Sequence, residues 1–206
     1  MTELKIGVPG RRWLSVVALG LLLGVATAWS DKLAGAYQQD GLTRALSMIL
    51  NAGSVWAGLA VLSGWIIGRP RAAVVAGVVG LACAVGGYYA FGVVLGDRVQ
   101  VGLAGLTGVI RLWAVLAIVA GPVLGVAGAL IRRSGMLGVV AALVVPVGVI
   151  VEMVGLRRLG PDTFAVDPAL AWAQTFLVAG ATLGAVAALV VRRRPPLGRQ
   201  RGATTN

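Results

Sequence analysis

Apolar residues fall in long runs along this chain, and the polar residues gather in short clusters between them. Six runs stand out: Trp13 to Trp29, Arg44 to Ile67, Ala72 to Leu95, Thr107 to Ile131, Gly135 to Arg158, and Ala169 to Val191. At a rise of 1.5 Å per residue, each is long enough to cross about 30 Å of hydrocarbon as a helix. The pattern predicts an all-α polytopic membrane protein with six transmembrane helices. A cytoplasmic lead over 1–12 precedes a six-helix domain over 13–191, and a basic cytoplasmic tail over 192–206 follows it. Residues 30–43 read as a polar loop, with room for a short surface helix. Ala26-Thr27-Ala28 resembles a small-residue cleavage site, although Gly20 and Gly24 in the same run suit a packed helix.

Within the runs, Gly20/Gly24, Gly64/Gly68 and Gly121/Gly125 are small-xxx-small pairs that let helix backbones approach closely. Pro122 and Pro146 lie near the centres of the fourth and fifth runs, where each should kink its helix.

Composition supports this class. The 206 residues are 58% hydrophobic and 12% charged, with a mean hydropathy of +0.91; soluble domains carry roughly a quarter charged residues. The net charge of +11 reflects basic residues that lie mostly between the apolar runs and in the segments flanking them, so nucleic acid is not an expected partner. Lys and Arg also set the orientation. With the N-terminus inside, Lys32, Arg44, Arg98, Arg111, Arg157 and Arg158 lie towards the outer side and the other twelve of the eighteen lie inside. All the acidic residues except Glu3 fall on the outer side. The expected location is the plasma membrane, with both termini cytoplasmic.

The chain has no histidine and a single cysteine, Cys83. Imidazole catalysis, His-ligated metal and intrachain disulfides are thereby removed. No phosphate-binding glycine loop, nucleophile elbow or zinc-protease signature is present. The expectation is a protein that is not an enzyme and carries no cofactor or metal.

The remaining chemistry is a polar layer in the outer third of the predicted spans. Arg44, Ser47, Asn51 and Ser54 recur at helical spacing in the second run. Tyr88 and Tyr89 lie in the third, Arg111 in the fourth, Glu152 in the fifth, and Gln174 with Thr175 in the sixth. An ionisable group inside an apolar span is costly and calls for a partner, and Glu152 is expected to pair with Arg111.

The layer predicts a ligand-binding site of Asn51, Ser54, Tyr88, Tyr89, Arg111, Glu152 and Gln174. Arg111 would hold an anionic group, Glu152 would orient it or take up a proton, and the tyrosines would form an amphipathic wall. The implied partners are the lipid bilayer, a small anionic or zwitterionic solute or lipid headgroup, and a membrane-protein partner. The protein would bind or transport that solute. The alternative is a non-catalytic scaffold subunit, in which the same groups bond neighbouring helices.

The string from Asn51 to Trp56, the Gly68-Arg69-Pro70-Arg71 turn and the Gly86-Gly-Tyr-Tyr-Ala90 string resemble small multi-span actinobacterial membrane proteins of unknown function. That resemblance implies a multi-span fold and no catalytic residues. In architecture alone, six spans with both ends inside are similar to the substrate-binding subunits of energy-coupling-factor transporters.

Overall fold

The computed structural model describes residues 8–37, 40–96, 102–159 and 168–193. Most of the expected lead, the loop around Asp162 and Asp167, Arg98, and the tail from residue 194 onward lie outside them. The described residues form seven helices: α1 (Gly10–Ala36), α2 (Gly41–Asn51), α3 (Gly53–Ile67), α4 (Pro70–Val94), α5 (Gly102–Leu130), α6 (Met136–Leu159) and α7 (Pro168–Arg193). Five of them, α1 and α4–α7, include stretches long and apolar enough to cross a membrane, and α2 with α3, bent against each other, makes a sixth if the pair is counted as one span.

The second span is therefore not one continuous helix. Ala52 adopts extended geometry (φ −61°, ψ 130°), and the axes on either side differ by 49°. A second correction concerns the expected loop over 30–43. Helix α1 runs on to Ala36 and carries Asp31 and Lys32 on its last turns. Helices α5 and α6 each continue through their proline as one element; the sharp break falls at Ala52 instead.

Close packing gathers α3, α4 and α5 towards their basic end, where Arg69, Arg71, Arg132 and Arg133 lie. A Cβ placed on Gly64 would collide with the Gly125 carbonyl, and one on Gly77 with the Gly121 carbonyl. The pair Gly20/Gly24 lets α1 lie equally close to α4, against the Gly80 and Ala84 carbonyls. Backbones this close accept no side chain at the crossing.

Specific contacts close several helix ends at both faces. Gly68 closes α3 in the left-handed region (φ 72°), its N–H donating to the Gly64 carbonyl at 2.8 Å, and Pro70 then opens α4 in its first turn. The Arg12 guanidinium donates to the Ile67 carbonyl at 3.3 Å, and Arg132 lies over the Trp65 ring at 4.7 Å. At the opposite face Lys32 Nζ donates to the Leu95 carbonyl at the end of α4 (3.2 Å). Helices α6 and α7 join the bundle at the break in the second span, where Ala52, Val149 and Met153 form a buried cluster with Leu177 and Val178 packed on it.

Candidate functional site

The glycine crossings leave the other halves of α3, α4 and α5 to be filled by larger side chains, and a cavity of about 440 Å³ lies there. This is within the range of small-molecule sites. Its wall is mostly apolar and aromatic, with Leu81, Val85, Leu116 and Leu124 alongside Trp56, Tyr88, Tyr89 and Trp113. Trp113 stacks on Trp56 (centroids 6.3 Å), and Tyr88 meets both Trp56 and Tyr89 edge-on, at 6.5 and 5.2 Å. Trp113 and Leu116 are each 45% exposed, so the cavity's α5 wall reaches the outside of the helix bundle. Asn51 and Gly53, at the helix break, complete the polar end.

Behind Asn51 and Tyr88 stands Asp31, which sequence reasoning placed in a loop. Its Oδ1 accepts from Asn51 Nδ2 (2.6 Å) and Ser47 Oγ (2.7 Å), and its Oδ2 accepts from Tyr88 Oη (2.8 Å). Asp31 thus ties α1, α2 and α4 together at one carboxylate. A signal for it was present: Gly20, Gly24, Thr27 and Asp31 recur at spacings of four, three and four. They share the α1 face that packs on α4.

The break frees backbone groups that are costly to leave unbonded in a membrane interior, and the Gly53 and Ser54 N–H groups and the Leu50 carbonyl find side-chain partners. Glu152 Oε1 accepts from the Gly53 N–H (2.7 Å) and Oε2 from the Ser54 N–H (2.8 Å). A carboxylate at the positive end of the α3 dipole is favourable for the charge as well as for the hydrogen bonds. The Leu50 carbonyl, freed on the other side of the break, accepts from Trp56 Nε1 (2.9 Å) and from Thr27 Oγ1 (3.4 Å).

The expected pairing of Glu152 with Arg111 gives way to this arrangement. Glu152 spends both oxygens on α3, and Arg111 lies exposed on α5. Backbone amides at a helix start offer two fixed donors without ordering a long side chain, which explains why they satisfy the carboxylate.

The structure divides the rest of the predicted layer. Asn51, Tyr88 and Tyr89 line the cavity, whereas Ser54, Arg111, Glu152 and Gln174 are not among its lining residues. Ser54 is buried beside Glu152, and Gln174 is buried on α7. The stripe in the second run is split: Ser47 and Asn51 turn to Asp31 from α2, and Ser54 belongs to α3. Among the described residues, no group of three or more His, Cys, Asp or Glu side chains is placed to hold a metal.

Five to six helical stretches of membrane-spanning length, a helix break whose Gly53 and Ser54 amides are capped by Glu152, and glycine-mediated crossings mark a polytopic α-helical membrane protein. The chain belongs to the DUF6518 family, a family of unknown function whose model matches residues 8–194, nearly the whole helical region. No curated protein and no solved structure matches it.

Proposed function

We propose that this protein binds a small amphiphile in the cavity between α3, α4 and α5, as a membrane-embedded binding or transport component and not as an enzyme. The observation that carries this reading is the cavity itself: about 440 Å³, mostly apolar walls, and a polar end at Asn51, Gly53 and Tyr88. An apolar body with one polar end matches that lining. The exposed faces of Trp113 and Leu116 give such a molecule a route from the lipid. The excess of Lys and Arg on the two terminal segments and the turns at Arg69/Arg71 and Arg132/Arg133, twelve of eighteen, supports a plasma-membrane orientation with both termini cytoplasmic and the cavity in the outer half.

The test is saturable stabilisation of the purified protein by ten-carbon amphiphiles. The protein is held in a neutral steroid-based detergent, so that the solubiliser carries no alkyl chain of its own. Decanol, decanoate and decyltrimethylammonium are titrated against the wild type and against Ala57→Leu and Ala120→Leu, which extend side chains into the cavity. Saturable stabilisation in the wild type, absent from folded variants, is expected. Stabilisation by none of the three, or by all three equally in wild type and filled variants, would overturn the reading.

A second reading, a scaffold or partner subunit, draws on α7. Only 11% of its span is buried, and Trp172, Phe176, Leu183 and Val186 face outward. Lipid can cover that face as readily as a protein can, so it ranks behind the cavity.

A further inference from the structure

Positive charge converges where α3 ends, at the face opposite the polar end of the cavity. Gly68 turns the chain there in the left-handed region (φ 72°), and guanidinium groups from two other elements close on the turn. Arg12 of α1 gives one N–H to the Ile67 carbonyl (3.3 Å). Arg132, from the turn after α5, lies over the Trp65 ring, with its Nη1 3.0 Å from the position a Cβ on Gly68 would take. A side chain at Gly68 would press on that guanidinium. Arg69 follows Gly68 directly and is exposed.

No carboxylate among the described residues balances these charges. Their acidic side chains are Asp31, Asp40 and Glu152, and all three bond at the other face: Asp40 at the start of α2, Glu152 at the start of α3, and Asp31 to Tyr88 in the later half of α4. The length of α3 from Gly53 to Ile67 sets that face about 20 Å away. The dipoles of α3 and α4 meet at this turn with opposite signs, so neither neutralises the arginines. A guanidinium carries five N–H donors in a planar fork that matches phosphate oxygens in pairs. One hydrogen bond from Arg12 and a ring contact from Arg132 leave such forks available.

The basic patch runs directly into an apolar surface. Trp65 and Leu62 are both exposed and lie about one turn apart on the same side of α3, with Arg132 over the first of them. Tryptophan at the end of a span marks the headgroup level of a bilayer. Cations at headgroup level with exposed apolar side chains beneath them are arranged as a phospholipid is, phosphate first and chains after. A soluble anion would use only the upper part.

We propose that the end of α3 is a binding site for an anionic phospholipid of the adjoining leaflet. Arg12, Arg132 and Arg69 hold its phosphate, and its chains lie along Trp65 and Leu62. The site is separate from the cavity and stands whether or not the cavity binds an amphiphile.

The test is lipid retention by the purified full chain in neutral steroid-based detergent. Dioleoyl phosphatidylglycerol is compared with dioleoyl phosphatidylcholine, which has the same chains and phosphate but a choline cation beside it. Phosphatidylglycerol should saturate a single site per protein and bind about tenfold or more tighter, the scale of two or three basic side chains near an anionic headgroup. Arg132→Gln and Arg69→Gln should reduce that preference to about twofold or less, whereas Arg133→Gln, which removes the same charge one residue away, should leave most of it. Glycerol phosphate, the headgroup without chains, should not displace the lipid. Equal retention of the two lipids, or an Arg133→Gln effect as large as that of Arg132→Gln, would overturn the site in favour of diffuse attraction to a basic face. Displacement by glycerol phosphate would reassign it to a soluble anion, and no retention of either lipid would leave the patch to an acidic protein. If Arg132→Gln does not fold, Arg69→Gln decides, since that side chain is exposed on a turn.

Discussion

The Glu152 carboxylate on α6 accepts a hydrogen bond from the Gly53 backbone N–H at 2.7 Å, across 99 residues of chain. One acidic side chain thereby closes the start of a half-helix that its own neighbours leave uncapped, since Ala52 at the N-cap position supplies no side-chain acceptor. The relationship joins the broken second span to α6 and holds the polar end of the cavity in shape.

Removing that cap should be costly. Glu152→Ala leaves the Gly53 and Ser54 donors unbonded, the first on an exposed residue and the second on a buried one, and a loss of about 1–3 kcal/mol is expected. Glu152→Gln retains one acceptor oxygen and should lose less. Thermal unfolding in detergent, followed by tryptophan fluorescence, checks the order; a Glu152→Ala protein as stable as the wild type contradicts it.

Asp31 should behave as a shared acceptor. Tyr88→Phe removes one donor and should cost about 1 kcal/mol, whereas Asp31→Ala strands three donors and should cost more. In a double-mutant cycle the Asp31 and Tyr88 changes should show coupling of about 0.5 kcal/mol or more. Strict additivity would mean that the 2.8 Å contact contributes nothing to stability.

The glycines divide into two sets with opposite expectations. Gly77→Val and Gly125→Val push a side chain into a facing backbone and should cost at least about 2 kcal/mol or prevent folding. Gly148→Ala and Gly180→Ala meet open space and should be neutral or slightly stabilising. Expression level and melting temperature of the four variants separate the sets. Equal tolerance would show that α4 and α5 do not cross at Gly77 and Gly125.

Orientation is tested with a reporter active only in the cytoplasm. Fusion after Arg201 should give signal and fusion after Asp40 should not, because the two terminal segments and the turns at Arg69/Arg71 and Arg132/Arg133 together hold twelve of the eighteen Lys and Arg residues, which the positive-inside bias assigns to the cytoplasm. A silent, well-expressed Arg201 fusion would reverse the assignment.

Much of this was legible from the chain alone. Long apolar runs permit few structures in a bilayer, because backbone groups without water must bond within their own segment. The sequence therefore determined the helical class, the approximate spans and the close approach at Gly20/Gly24, Gly64 and Gly121/Gly125. It also singled out Asn51, Tyr88 and Tyr89, since polar groups among apolar ones are conspicuous on a helix face. The hydrogen-bond partners were another matter. Glu152 had several donors within plausible reach, and a rule that pairs charge with charge pointed to Arg111. The Gly53 and Ser54 amides became available only because the chain broke at Ala52. That break is held from α6, by Glu152 and by the packing of Val149 and Met153 on Ala52. Asp31 was passed over because a polar residue after an apolar run reads as loop; its role follows from α1 lying close enough to α4 for Tyr88 to reach it. Periodicity along one helix identifies a face, but which face meets which, and so which donors remain for a ligand, is decided only when the helices pack.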